Sequence, residues 1–400
     1  MSLIVSVPSA HAVQSRQTDS LTCVVEEFDG ARFPPRDPWL RLFEQASNSH
    51  VAHHPDAVRA AFPDVGIPGW TVTVRRGSEP AAMAILIPKR CRLGRPLLPG
   101  ARSSLVGVRL AGLGFLGVDD GPVCDLLVRT IVQEVRSRRI RVVEFENVHE
   151  DSQLWKSLRE VRPLGFRFAP ADAFDVHHRI RFPASAEEYW NRFHARQRGR
   201  LRKERRRIGD YEVRRYTQAS EAGDWLSAAH EISRKTWQSH QLGLRIHNNE
   251  QELEWLTFLA TLGALRSYVL FVAGRPAAFV QSHQWNGVYH YDELGFDRNL
   301  AKQNPGKVLL QEILDDLLAH DCPQTFDFGL GDADYKRFFG NEQSRSATLW
   351  MFSPGAAGGW HSASINLRRK AGRAARQLWG KTGWYAALRR SLRDAAAQDA

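Results

Sequence analysis

The run Phe326-Asp327-Phe328-Gly329-Leu330-Gly331-Asp332-Ala333-Asp334-Tyr335-Lys336 sets two glycines, a phenol and an ammonium just past a short apolar strand. Loops beyond strand ends are where α/β folds present reacting groups. A tyrosine there can give up a proton, and a lysine can stabilise an oxyanion or hold a phosphate. Tyr335 and Lys336 are therefore the first catalytic candidates. Upstream, Val288-Tyr289-His290-Tyr291-Asp292-Glu293-Leu294-Gly295 offers two carboxylates, Asp292 and Glu293, and either would serve as a general base. Strand alternation places Tyr289, Tyr291 and Glu293 on one face, with His290 and Asp292 on the other. Between these segments, Gln303-Asn304-Pro305-Gly306-Lys307 joins a strand to a helix. Pro and Gly at a helix start leave backbone N–H groups open, and such a start binds phosphate through those groups and the helix dipole.

The elements that must position these residues occur twice. Trp70–Leu86 reads as two strands around a Gly77…Pro80 turn, and Tyr268–His283 repeats the pattern around Gly274 and Pro276, each with Pro-Ala-Ala after the turn. Each pair is followed by a helix opened by Gly and Pro and then by an acidic-aromatic strand: Asp120-Gly121-Pro122-Val123 leads to Val142–Glu146, and Asn304–Lys307 leads to Phe326–Gly329. Matching order with drifting offsets indicates duplicated domains. The expected division is an irregular arm over 1–35, a degenerate first domain over 36–178, a second domain over 179–355 and a basic helical tail over 356–400. In the second domain, a helix capped by Ser185 is predicted to run unbroken through the basic stretch to Ile208.

Four hundred residues with 43% apolar and 25% charged side chains suit a globular chain of two domains. No stretch approaches the roughly 18 apolar residues of a membrane span. Cys23, Cys91, Cys124 and Cys322 show neither metal spacing nor a paired framework, so no metal is expected and a reducing cytoplasm fits. The net charge of +11 concentrates in eight Lys/Arg between Arg196 and Arg207 and nine between Arg368 and Arg393. Such patches face polyphosphates, anionic lipid or nucleic acid, or are solvated helix faces. Exposed aromatics do not interleave the first patch, which argues against a single-strand nucleic-acid surface. In the second, Leu367, Leu378, Trp379, Trp384 and Leu388 suit a peripheral anchor on an anionic membrane.

Residues from about 180 to 352 resemble the GCN5-related N-acetyltransferase (GNAT) superfamily, and within it the BioF2-like branch. The resemblance rests on Arg196-Gln-Arg-Gly-Arg-Leu-Arg-Lys, on Asn304-Pro305-Gly306-Lys307 and on Asp327-Phe328-Gly329-x-Gly331-Asp332-x-x-Tyr335-Lys336. A tandem pair of such domains also resembles the Fem-type aminoacyltransferases, and Tyr335–Gly340 is similar to their Lys-containing loop. The resemblance implies an α/β (α+β layered) fold, each domain a mixed, mostly antiparallel sheet flanked by helices, with one sheet splayed to admit a pantetheine arm. It implies acyl-CoA, acetyl-CoA in the simplest case, as co-substrate, with its pyrophosphate at Gln303, Asn304, Gly306 and Lys307. The superfamily signature there, Gln/Arg-x-x-Gly-x-Gly/Ala, is met at Gln303 and Gly306 and departs at Val308. Arg198, Arg202, Tyr291 and Asp332 are the expected contacts to a glycan or peptidoglycan-type acceptor, in the cytoplasm or on the inner face of the membrane. Aminoacyl-tRNA as donor, or a basic binding module without catalysis, are the alternatives.

Overall fold

The computed structural model describes residues 4–6, 21–30, 32–63, 65–93, 103–117, 119–170, 174–236 and 246–380. Two compact units emerge. The first comprises Met1–Ala46, Phe62–Phe174 and Ala347–Ala400, and the second Ser47–Ala61 with Asp175–Ser346.

In the first unit, strands Leu21–Phe28, Gly69–Arg76, Glu79–Arg92 and Ser104–Leu110 pair antiparallel in that order. Helix Gly121–Ser137 follows, and strand Val142–His149 then returns parallel to Ser104–Leu110. Val123, Leu127, Ile131 and Val135 recur every fourth residue and are all buried, which seats that helix on the sheet. Residues 1–35 are thus not all an irregular arm. Leu21–Phe28 pairs along its whole length with Gly69–Arg76 and buries Cys23 and Phe28.

The second unit repeats this order. Strands Ser267–Val272, Arg275–Trp285 and Val288–Phe296 form an antiparallel meander, helix Pro305–His320 follows, and strand Thr325–Leu330 returns parallel to Val288–Phe296. Strand Tyr211–Tyr216 closes one edge against Ser267–Val272, and Asp175–Arg181 lies beyond Thr325–Leu330. Period-two alternation divides the side chains between two cores. Tyr268 and Leu270 join Leu309, Leu310, Ile313, Leu314 and Leu317 of helix Pro305–His320. Val269 and Phe279 join Trp225, Leu226, Leu256 and Leu259 from helices Ala222–Arg234 and Glu250–Thr261. The segment Ser47–Ala61 belongs here, with Val51 in the second core and Ser49 accepting from Trp285 Nε1 at 3.1 Å. The helix opened by Ser185 does not run on to Ile208. It stops at Asn191, and a new helix, Ala195–Arg207, begins after Arg192 turns aside to donate to the carbonyls of Phe339 and Gly340.

Strand Glu342–Phe352 pairs Glu342–Ser346 with Asp175–Arg179 in the second unit and Trp350–Phe352 with Arg167–Ala169 in the first. Helix Ala356–Gly380 is not a separate tail, because its first turns are built into the first unit. Ile365 is buried with Cys91, Leu105, Val142 and Phe352, and Ser362 and Asn366 both donate to the Phe168 carbonyl. Trp384 and Leu388, invoked for the anchor, lie outside the described residues, and no helix among those residues is long and apolar enough to cross a membrane. Ile365→Ala should lower stability by about 2–4 kcal/mol, whereas Leu367→Ala, at a side chain 48% exposed, should leave Tm nearly unchanged. Equal Tm shifts for the two would contradict the packing of this helix.

Candidate active site

The site begins where two strands part. Val288–Phe296 and Thr325–Leu330 pair in parallel at Val288↔Thr325, Tyr289↔Phe326 and His290↔Asp327, and the ladder then ends. On its other edge Val288–Phe296 carries a bulge: Ser282 pairs with Tyr291 and Gln281 with Glu293, leaving Asp292 as the extra residue. The bulge breaks the simple alternation expected from the sequence. Beyond it Leu294 and Phe296, rather than Glu293, line the same cleft as Tyr291. That cleft, about 210 Å³, is completed by Asn304, Pro305, Gly306, Lys307, Leu310 and Tyr335. Candidate residues from three separate sequence segments thus meet in one place.

Asn304 adopts a left-handed conformation (φ 55°, ψ 50°) and turns the chain sharply into helix Pro305–His320. No side chain caps this helix. The matching helix of the first unit differs: Asp120 accepts the Val123 N–H at 2.9 Å, so a carboxylate already sits at that N-terminus. At the second start Pro305 has no N–H and the Lys307 and Val308 amides donate to the Asn304 carbonyl, which leaves the Gly306 amide as the candidate anion donor, with no side-chain carboxylate capping it. Gly306 keeps the approach clear, since a Cβ there would stand 3.4 Å from the Phe296 ring. Lys307 is less available than its sequence position implied. Its ammonium binds the buried Glu204 carboxylate at 2.9 Å and lies 5.0 Å from the Phe338 ring centroid. Gln303 Oε1 is buried without a hydrogen-bond partner.

Tyr335 and Lys336 are not in an exposed loop but on the short helix Asp334–Phe339. Tyr335 faces the cleft beside Tyr291, ring centroids 6.5 Å apart. Burial, reinforced by the Glu293 carboxylate, pushes its phenol up to about 12, so it carries its proton at neutral pH. Lys336 points elsewhere. It is 7% exposed and donates to the carbonyls of Gly329 at 3.1 Å and Leu330 at 2.9 Å, fastening the turn after the strand. Burial lowers its pKa, with Asp327 and Asp332 opposing. Asp332 accepts from His178 at 2.9 Å and from Arg337, and these partners hold its carboxyl below the usual range.

The two carboxylates part company as well. Asp292 Oδ2 accepts from His283 Nδ1 at 2.7 Å. Glu293 lies near enough to Tyr335 to raise its phenol. Arg198 and Arg202 line a second groove of about 210 Å³ with Trp190, Leu201, Arg205, Gln311 and Asp315. Arg198 also donates to Asn191 and to the Phe193 carbonyl, both at 3.1 Å.

Sequence reasoning missed the histidines. His177 bridges Ser346 (Nδ1···Oγ 2.9 Å) and Asp327 (Nε2···Oδ1 2.5 Å), while Arg179 donates to the other Asp327 oxygen at 3.1 Å. The order Ser–His–Asp matches a nucleophilic triad, but all three side chains are buried, so the group holds strands together rather than meeting substrate. Burial would raise the Asp327 carboxyl, but the His177 hydrogen bond and the charges of His177 and Arg179 overcome it and hold the group well below the usual carboxylate range. His50, His283 and His290 form a second cluster. His290 is pushed down to about 4 by burial and the adjacent His283 ring. Only an alignment of strands in space brings these residues together.

Residues 195–337 match the acetyltransferase (GNAT) domain family. The crystal structure of FemX superposes with a TM-score of 0.57 at 11% identity, over 82% of this chain and 96% of that one. The C-terminal domain of a putative lysylphosphatidylglycerol synthetase from Agrobacterium fabrum superposes at 0.50 and 14% identity, over 83% and 95% of the two chains. L-PGS from Bacillus licheniformis does so at 0.50 and 11%, over 85% and 97%. The fold is GNAT/Fem-like. No curated protein matches the sequence.

Two substitutions test this account of the site's frame. Lys336→Met strips the donor from two strand-end carbonyls and should cost about 1–3 kcal/mol, seen as a lower Tm; an unchanged Tm would refute the fastening role. Asp327→Asn should cost about 3 kcal/mol at neutral pH, because it takes the carboxylate from the half-buried Arg179 guanidinium and from the buried His177 ring. A depressed carboxylate pKa contributes stability that is full above the ordinary value of 3.8 and fades as pH falls below it. The wild-type advantage over Asp327→Asn should therefore shrink in acid denaturation series below about pH 4. A constant gap down to pH 2 would count against the ion pair.

Proposed function

Starting from a chain that carries a GNAT acyltransferase domain, we propose that the protein moves an acyl group, acetyl in the simplest case, from acyl-CoA to an amine or hydroxyl of a sugar-containing envelope or exopolysaccharide molecule. The observation that carries the donor assignment is the uncapped helix start at Asn304–Lys307 opening into a cleft walled by Tyr291, Leu294, Phe296 and Leu310. The Gly306 amide and the helix dipole at one end suit a pyrophosphate, and the apolar walls beyond suit a pantetheine arm. Phosphate recognition then falls to backbone N–H groups, with Lys307 adding field from its pair with Glu204.

Transfer is direct, in a ternary complex. The acceptor nitrogen or oxygen attacks the thioester carbonyl carbon, the new C–N or C–O bond forms and the C–S bond breaks. A carboxylate at the bulge, Glu293 or Asp292, takes the acceptor's proton, and Tyr335, protonated at neutral pH, gives its proton to the departing thiolate. Asp292 is held by His283, and the Glu293 charge reaches Tyr335. The acceptor reading rests on the resemblance to BioF2-like enzymes and on the groove of Arg198 and Arg202, whose guanidinium forks suit an anionic or polyhydroxy group.

Calorimetry with acetyl-CoA on the wild-type protein should give a saturable isotherm, and Gly306→Asp should abolish it by setting a carboxylate and new bulk at the helix start. No heat of binding at millimolar ligand would remove the CoA assignment. Turnover only with charged transfer RNA would replace it by the Fem-type reaction. Tyr335→Phe should keep donor affinity and lose turnover by about 100-fold or more if Tyr335 is the acid. Unchanged turnover in that variant would reassign the residue to packing.

A further inference from the structure

Three histidines of the second unit do not line the cleft of Tyr291 and Tyr335. His283 and His290 sit on adjacent strands, rings stacked at 4.6 Å, and His50 from the segment Ser47–Ala61 stands edge-on to both, at 5.4 Å and 4.9 Å between ring centroids. One ring nitrogen from each residue comes within 4.8 Å of the others. His283 is the informative member. Its side chain is 5% exposed, and Nδ1 is held by the Asp292 carboxylate at 2.7 Å. That hydrogen bond puts the ring proton on Nδ1 and leaves the lone pair on Nε2. Nε2 is buried with no hydrogen-bond partner among the described residues. A buried acceptor without a donor costs about 1–3 kcal/mol, so the position calls for an electrophile.

We propose that His50, His283 and His290 form a site for one divalent transition metal of the zinc class, with Asp292 orienting His283 from outside. Three imidazoles match this metal class by donor type, and a carboxylate behind a ligating histidine is its usual outer partner. Zinc–nitrogen bonds of about 2.0–2.1 Å bring ligand atoms to about 3.4 Å from one another, so the ring nitrogens need to close by up to about 1.4 Å. His50, half-buried at the edge, is the ring that moves. Its Nδ1 now receives the Ala52 amide at a long 3.2 Å, a bond that metal coordination would replace or release. The half-exposed edge leaves a fourth position to water. The ion would tie Ser47–Ala61 to strands Arg275–Trp285 and Val288–Phe296, adding to the Ser49 contacts with Trp285 and Asn286. Sequence spacing pointed to no metal, because His50 lies far along the chain from the other two ligands.

The test uses the full-length protein without a histidine tag, stripped by a chelator and titrated with zinc chloride against a chromophoric competitor. The expected result is one equivalent bound at micromolar affinity or better, with Tm rising as zinc is added. Cobalt(II) should give the visible absorption of a low-coordinate ion. His50→Ala, at a half-exposed ring, and His283→Asn should each abolish that equivalent and the cobalt spectrum. Asp292→Asn should weaken binding by about 10- to 100-fold while the stoichiometry stays at one. Should His283→Asn fail to fold, His50→Ala decides alone. No stoichiometric zinc in the wild type, or equal binding in His50→Ala, would overturn the proposal and leave a metal-free imidazole cluster. None of these readings depends on acyl transfer, so failure here leaves the acyl-CoA assignment standing.

Discussion

The parallel ladder between Val288–Phe296 and Thr325–Leu330 stops after three residue pairs, and the second unit depends on that stop. Backbone groups freed from a ladder must find water, ligand or side chains. The separation is held open from three sides. The bulge at Asp292 bends one strand away. The buried Asp327 anchors the other to His177 and Arg179 of the neighbouring strand just where the pairing ends. The left-handed Asn304 then turns the chain into helix Pro305–His320, whose first residues line the cleft. A cleft results without any large cavity being carved from a core.

Charge is distributed around this gap in a way that separates binding from framework. The lysines nearest the site are committed inside the protein, Lys307 to Glu204 and Lys336 to the carbonyls of Gly329 and Leu330. Backbone amides and the helix dipole are left as the anion-attracting elements, and these lose nothing to side-chain entropy when ligand arrives. The arginines that remain toward solvent, Arg198 and Arg202, line another groove. The basic helix therefore contributes both a buried strut, through Glu204 and Arg205, and an exposed face.

The two units share one topology and differ at the start of the helix. Each has a meander, a helix and a returning parallel strand. In the first unit the helix start is sealed by Asp120, and Lys89 is tied to Glu146 at 2.9 Å and to the buried Glu144. A negative cap where an anion would sit repels that anion. The second unit kept Asn304, whose side chain makes no cap, and so kept an open terminus.

By itself the sequence determined the elements and their duplication, because period-two and period-four apolar patterns and Gly/Pro punctuation are local signals. Tyr335, Gly306 and Asn304 were legible for the same reason, each standing at a fixed distance from a strand or helix end. The expectation of an irregular arm over 1–35 passed over strand Leu21–Phe28, whose pairing with Gly69–Arg76 is a contact between separate segments. Tertiary structure alone decided which charges are spent. Lys336 looked like an exposed reagent because sequence carries no sign of the two carbonyls it would meet, and Lys307 gave no hint of Glu204, one helix away. The bulge at Asp292 likewise belongs to the pairing of two strands, and it alone put Leu294 and Phe296 beside Tyr291. The histidines had no legible link at all. His50 joins His283 and His290 only because Ser47–Ala61 packs on the second unit, and contacts between distant segments arise from the whole balance of packing rather than from any local pattern.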